Sequence, residues 1–551
     1  MNKPLLLSWA AIALLGTNLN AESMYDKFQA LEAEMKSLKK EMAALKGEKI
    51  SSVVKEEDEA VDKNSQDTDK EDTEEEADEE KDAPKTDKVS KDSKDDEDEK
   101  DDEKMDVVAE IEEIKETLTE LNKATSGNHL KFGIDYRFAL ENMQYKMANG
   151  DEANNDAFMT NRLWINMDWS ANDNLSFTGQ LAYNKAFGAR SGASTENNFE
   201  SFDWIANENA YDDTIRVRSA YFLYRNDTFF ETEVPWTFSV GRRPSTNGHL
   251  INLRDDDMAA SPMGHTINVE FDGLSSKFSF DNWVNGMYVK FCAGRGMSNA
   301  APKFAQTPYS SVDASANVNP DIDLVGLIFV PFDNGQYSVG TQYYYANNLI
   351  DMNTMAQADG FNTVGGLHSA TLNFRTNGIG REINDFLDDT TFFVSGAVSI
   401  TNPDSGERML YSQYNPDMSQ TVAGEAKTGY SAWVGLQFPS LLSNDGRWGL
   451  EYNYGSQYWR SITYGEDTNI GSKMATRGNA YEAYFTEYLV DDILSLQVRY
   501  TYIDYDYSGS NGFFGSTTGA AMSMEDAIAF GQGANVVDTA QDIRFYLRYK
   551  Y

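Results

Sequence analysis

Cysteine is almost missing from this chain: among 551 residues, Cys292 stands alone. A disulfide within the chain is therefore excluded, and so is a thiolate metal cluster built by a single copy. Histidine is nearly as scarce. His129, His249, His265 and His368 are widely scattered and fit no metal-ligand spacing, so no metal and no cofactor is expected. Positive charge is also short, with 47 Lys and Arg against 88 Asp and Glu and a net charge of −41. Binding a phosphate backbone requires basic patches, which argues against nucleic acid as a partner. Beyond the N-terminus, no stretch reaches the roughly 18 consecutive apolar residues of a membrane-spanning helix. If the mature protein sits in a membrane, it does not cross as helices.

What the chain does have is aromatics, with 30 Tyr and 30 Phe beside 40 Gly and only 12 Pro. A polar chain rich in aromatics fits a wall with one face in lipid and the other in water. At the N-terminus, Lys3, the apolar run Leu5 to Leu15 and Leu19-Asn20-Ala21 read as a signal peptide over 1–21; a retained anchor is disfavoured because the run is short. Met24, Phe28, Leu31, Met35, Leu38, Met42 and Leu45 then follow a four-three spacing, which predicts a coiled coil within 22–50 or an amphipathic helix lying on another surface. Residues 51–106 carry 27 acidic residues against 10 lysines. Such a tract cannot bury enough apolar surface to offset its ordering entropy, so a disordered acidic spacer is expected. A second seam, Val107, Ile111, Ile114, Leu118 and Leu121, predicts a short coiled coil over 107–124. Two seams flanking a spacer suggest oligomerisation, with a trimer as the guess.

From about residue 128 the apolar period changes to two. Leu130, Phe132, Ile134, Tyr136, Phe138 and Leu140 share one face, opposite Lys131, Gly133, Asp135, Arg137 and Ala139. One alternating strand decides little, but the pattern recurs. It returns at Leu163 to Trp169, Leu175 to Tyr183, Ile215 to Leu223 and Trp236 to Val240. It continues at Tyr337 to Tyr345, Phe392 to Ile400, Ala432 to Phe438, Trp448 to Tyr454 and Leu494 to Tyr502. The last segment, Ile543, Phe545, Leu547, Tyr549 and Tyr551 alternating with Arg544, Arg548 and Lys550, resembles the terminal recognition strand of outer-membrane proteins. Short turns such as Ala171 to Asn174 and Ser443 to Gly446 contrast with long stretches near 189–212, 244–265, 296–320, 402–427 and 508–540. The expected fold is an all-β transmembrane barrel over 128–551, with about sixteen antiparallel strands and a range of about 14 to 18.

By parity, the residues facing the lumen are Lys131, Asp135, Arg137, Arg216, Arg218, Arg243, Glu451, Arg499, Arg544 and Arg548. Each either lines a pore or pairs with an opposite charge on the neighbouring strand. The stretch Gly241 to Gly248 leads into a loop containing Arg254, Asp255, Asp256 and Asp257. Pro244 is expected to stop the strand and Gly248 to allow a sharp turn. The loop either folds into the lumen as a constriction or carries surface charge outside. Residues 107–551 net −25, yet the named inward positions are mostly basic. Acidic external loops bridging lipopolysaccharide through divalent cations, and a basic, anion-preferring lumen, are the expectation.

Three stretches resemble an uncharacterised family of porin-like outer-membrane proteins known only as a domain of unknown function. They are Val240 to Gly248, Gly449 to Ser456, and Thr476 to Tyr481 with Tyr502 to Tyr505. The resemblance covers roughly 128–551. It implies a barrel of the porin kind and no substrate. The function expected is passive diffusion of ions or small hydrophilic solutes across a Gram-negative outer membrane, with lipid and lipopolysaccharide as partners and the N-terminal coil in the periplasm. The alternative is a barrel that anchors or sheathes a periplasmic protein or peptidoglycan partner, recruited through the coil and the acidic tract. An enzyme is not expected: His249 and His265 lie near Ser245 and Ser261, but no nucleophile elbow is present.

Overall fold

The computed structural model describes residues 130–187, 215–296, 321–352, 361–380, 383–415, 417–443, 445–463, 468–508 and 520–551. The expected signal peptide, both expected coiled-coil segments and the expected acidic spacer lie outside the described residues. Within them, accompanied by a separate two-stranded ladder, the main sheet closes on itself. Its first strands are β1 (Leu130–Met147), β2 (Glu152–Ser170), β3 (Leu175–Ala186) and β4 (Arg216–Asn226). Then come β5 (Trp236–Ser245), β6 (Ile267–Ser279), β7 (Tyr288–Gly296) and β8 (Ile322–Asp333). The second half consists of β9 (Tyr337–Met352), β10 (Phe361–Asn377), β11 (Thr391–Pro403) and β12 (Thr428–Pro439). It ends with β13 (Arg447–Gly455), β14 (Gly478–Val490), β15 (Leu494–Tyr505) and β16 (Val537–Lys550). Each pairs antiparallel with its sequence neighbour. β16 returns to β1, from Asp135↔Lys550 to Met147↔Val537, and closes a sixteen-stranded barrel among the described residues.

The alternation in the sequence becomes the two faces of this wall. Phe132, Ile134 and Tyr136 are exposed on the outside, whereas Asp135, Arg137, Ala139 and Glu141 on the same strand are buried inside. Leu372, Tyr430 and Ile543 continue the apolar skin around the circumference. Closure removes every sheet edge, so the backbone groups of the wall are satisfied by the wall itself. Among the described residues no helix is long and apolar enough to cross a membrane.

One parity expectation fails. The alternation over Ile215 to Leu223 predicts Tyr221 and Leu223 on the apolar outer face with Ile215 and Val217, but they point inward. Ser219 pairs with Gln180 and Val217 with Leu181, so Arg218 is an extra residue in β4. One such bulge moves every later side chain to the opposite face. Phe222 and Tyr224 take the outer positions instead, with Phe222 beside Phe238 and Tyr224 beside Trp236.

Connections at the Tyr551 end are mostly short, such as residues 171–174, 334–336 and 491–493. At the opposite end, 187–215, 246–266, 297–321, 404–427, 456–477 and 506–536 are long. The stretch 456–477 escaped the sequence reading. It matters because Trp459, Ile462, Met474 and Arg477 are fully buried. Ile462–Thr463 also pairs in parallel with Ile267–Asn268 at the start of β6. The barrel interior at this end is therefore packed. One apolar cluster joins Val269, Ile322, Leu349, Leu367, Met409 and Ile462.

Candidate functional site

The loop 246–266 divides the lumen. β5 runs through Pro244 and ends at Ser245, which still pairs with Val269, so the strand stops one residue later than Pro244 suggested. The left-handed turn is taken by Asn247, at φ 53. Gly248 has another role. A Cβ there would lie 2.4 Å from the Pro262 carbonyl oxygen, where the two limbs of the loop pair as Gly248–His249 against Ala260–Met263. Glycine is required for that approach rather than for the turn. The loop tip is a short helix, Ile251–Asp255, closed by Asp256 in a left-handed cap.

The loop crosses the lumen and docks on the far wall. Leu250 and Ile251 pack on Phe393, Trp433 and Met474. Gln437 donates to the Leu253 carbonyl at 3.0 Å and Gln497 to the Arg254 carbonyl at 2.9 Å. Met263 N–H donates to Gln342 at 3.0 Å. At the base, His265 sits between two serine hydroxyls, with Nδ1 2.8 Å from Ser395 and Nε2 2.8 Å from Ser431, flanked by Trp433 and Trp459. The loop 456–477 then backs the first: Ser461 donates to the His265 carbonyl and Thr463 to that of Gly264, both at 3.2 Å.

Burial pushes the His265 imidazole down to about 3, against an ordinary value of 6.5. A lowered histidine pKa means the docked state excludes a proton that the undocked state binds once the pH falls below 6.5. Docking is therefore at full strength above that pH and weakens below it. Going from pH 7.5 to 4.5 costs about 3 kcal/mol at this residue. Hydrogen-exchange protection factors of the 246–266 backbone, taken against the intrinsic exchange rate at each pH, should fall over that interval. His265→Gln, which keeps a donor and an acceptor, should flatten the pH dependence; an unchanged profile would rule the histidine out as its source.

The wall that receives the loop is a paired-charge network. Arg254 Nη1 lies 3.4 Å from Glu482 and its Nε 2.9 Å from Asp255. Glu482 also meets Lys473 and receives the Thr501 hydroxyl at 2.9 Å, with Arg499 at 4.0 Å. Lys473 bridges on to Glu451 at 2.6 Å, which takes the Trp433 indole N–H at 2.9 Å. Arg544 pairs with Glu141 at 3.0 Å. Arg548 Nε donates to Asp135 at 2.9 Å, and its Nη2 lies 2.8 Å from Asp257 of the loop. Arg162 approaches Asp135 at 3.4 Å, and Arg137 stacks over the Tyr546 ring.

Asp135, Arg137, Arg254, Glu451, Arg499, Arg544 and Arg548 thus lie together on or against this wall, all buried. Lys131 and Arg216 do not join them. Lys131 is exposed near the Tyr551 end, opposite Asp168, and Arg216 is exposed at the start of β4. The inward face is also less basic than parity on the recognised strands suggested, because Glu141, Glu482 and Asp542 are buried there too. Glu482 belongs to a strand absent from the alternating runs; its setting in Ala480-Tyr481-Glu482-Ala483-Tyr484 was the available signal.

On the other side of the loop the wall is different. Strands β2 to β9 and the loop line a half-open cavity of about 400 Å³. Arg218, Arg243 and Lys290 reach it, together with Gln180, Tyr221 and Ser261. Arg218 is bound to Glu270 at 3.1 Å and to Gln180 at 2.7 Å. Arg243 reaches the Ser239 hydroxyl and lies over the Tyr221 ring. Lys290 donates to Ser261 at 2.9 Å. Cys292 borders the same space. Lys290 was not among the sequence candidates because β7 alternates over too short a run to be recognised.

No curated protein matches the sequence. Among solved structures, similarity extends to an anion-selective porin from Comamonas acidovorans, 10% identical, TM-score 0.43, covering 77% of this chain and 99% of that one. It extends also to Salmonella typhi OmpF in complex with daunomycin, at 13% and 0.42, covering 77% and 98%. Pseudomonas putida OprB at high pH follows at 11% and 0.41, covering 77% and 94%. The fold itself stands on the strand pairing described above. The family match begins in β2: residues 152–551 fit the description "Protein of unknown function (DUF3373)". The chain belongs to that family.

Proposed function

We propose that this protein is a porin-like channel of a Gram-negative outer membrane, passing ions or small hydrophilic solutes passively and preferring anions. The observation that carries the reading is the cavity lined by Arg218, Arg243 and Lys290 inside a closed barrel with an apolar skin. Barrels of about sixteen strands are wide enough to keep water beside an inward loop. An exposed apolar band of this kind is stable in lipid and a liability in water. With the loop occupying the acid-containing side, the remaining path runs along the cationic side. Selectivity in such a path follows the charge at its narrowest part. The lipid and lipopolysaccharide contacts, the trimer and the periplasmic coil belong to the same reading.

In a planar bilayer with a salt gradient, the reversal potential should have the sign of anion preference, and neutralising Arg243 and Lys290 together should move it toward zero. Clear cation preference in the unmodified protein contradicts the proposal. A second reading, a barrel that anchors or sheathes a periplasmic partner, draws support from the packing of loops 246–266 and 456–477 inside the lumen. A purified barrel that is electrically silent and retains a partner through residues 22–127 would favour it.

A further inference from the structure

The lumen treats its cations in two ways. On the docking wall, buried Arg254, Lys473, Arg544 and Arg548 each lie within 4 Å of a carboxylate. In the cavity, Arg243 and Lys290 have no ion-pair partner among the described residues. Lys290 is 5% exposed, and the neighbour bound to its ammonium is the neutral Ser261 hydroxyl. Arg243 rests on a serine hydroxyl and an aromatic face. Asp168 also borders the cavity, but it takes the Thr178 hydroxyl at 3.0 Å and stands opposite Lys131 across the β1–β2 pair.

Burying an ammonium beside one neutral partner is unfavourable unless a counter-charge completes it. Among the described residues such counter-charges stand elsewhere in the same lumen, and none pairs with these two cations. We infer that the cavity is a saturable binding site for a small oxyanion, a carboxylate or phosphate group held by Lys290 and Arg243. A guanidinium presents parallel N–H donors that match two oxygens of such a group, and an ammonium adds a point charge. The Ser261 hydroxyl, already beside the ammonium, can donate a further hydrogen bond. A halide presents one acceptor atom where the fork addresses two, so the site favours oxyanions over chloride. The volume of about 400 Å³ leaves room for the rest of a small organic acid.

The inference rests on the channel reading for how the anion arrives, but its test does not. Cys292, the only thiol in the chain, borders the cavity and reports occupancy directly. The full-length protein in detergent is treated with an anionic methanethiosulfonate at constant ionic strength, in chloride, inorganic phosphate or acetate. Phosphate or acetate should slow Cys292 modification saturably, about tenfold at ten times its dissociation constant, while chloride does not. Whichever protects identifies the source of the oxyanion. Lys290→Met should abolish protection and Lys290→Arg should retain it, with heat-modifiable gel migration confirming that both fold. Arg243→Gln offers an independent loss of protection.

Equal modification rates in all three salts overturn the site. Protection that survives in Lys290→Met overturns its assignment to these residues. A barrel that shows protection but no conductance supports the site and removes the channel reading instead.

Discussion

Glu482→Ala should destabilise the folded barrel by about 3–5 kcal/mol, the cost of removing one member of a buried charge network. The magnitude follows from the company Glu482 keeps. It is the carboxylate shared by Lys473, Arg254 and Arg499, all buried, and it also accepts the Thr501 hydroxyl. Taking it away leaves a concentration of positive charge that water cannot reach. Glu451 still serves Lys473 and Asp255 still serves Arg254, so the barrel should fold, with a lowered urea midpoint in detergent. Glu482→Gln keeps the shape and one acceptor and should fall between. Adding Lys473→Met to Glu482→Ala should recover part of the loss, because fewer cations then lack a counter-charge. A loss under about 1 kcal/mol would place this network among surface-like ion pairs.

The second large effect concerns the loop itself. Replacing residues 250–262 with a short Gly-Ser link should raise single-channel conductance severalfold. On the channel reading proposed above, it should also reduce anion preference. The deletion removes the tip helix and joins the cationic cavity to the acid-containing wall. Carboxylates of Glu482 and Asp135 would then face the same water as Arg243 and Lys290. Unchanged conductance would mean that the narrowest point lies elsewhere, with loop 456–477 the leading alternative because it backs the base of the first loop. Arg254→Ala should give a smaller increase in conductance noise, since it frees the tip from Glu482 without removing the loop.

The wall was legible in the sequence because a strand with one apolar and one polar face writes a period of two. That pattern located most strands and put Asp135, Arg137 and Arg548 on the inner face. It could not locate the bulge at Arg218, since one inserted residue leaves composition unchanged while reversing parity for Tyr221 and Leu223. Nor could it locate the paired network. Whether Arg254 meets Glu482 depends on how a loop crosses a closed barrel, and the partners lie 228 positions apart. The loop 456–477 escaped for the same reason. Trp459 and Ile462 are buried by β6 and the 246–266 loop, elements about two hundred residues earlier, so local periodicity holds no trace of it.

Arg548 ties these parts together in time as well as in space. It belongs to the last strand, its guanidinium binds Asp135 on the first, and the same group holds Asp257 and the Asp255 carbonyl of the loop. Without β16 the seam has no partner and the loop loses its hold on Arg548. Pairing of the terminal strand with the first therefore both zips the cylinder and latches its internal partition. A chain halted before that step would be left open along its side and unpartitioned down its middle, two failures from one missing segment.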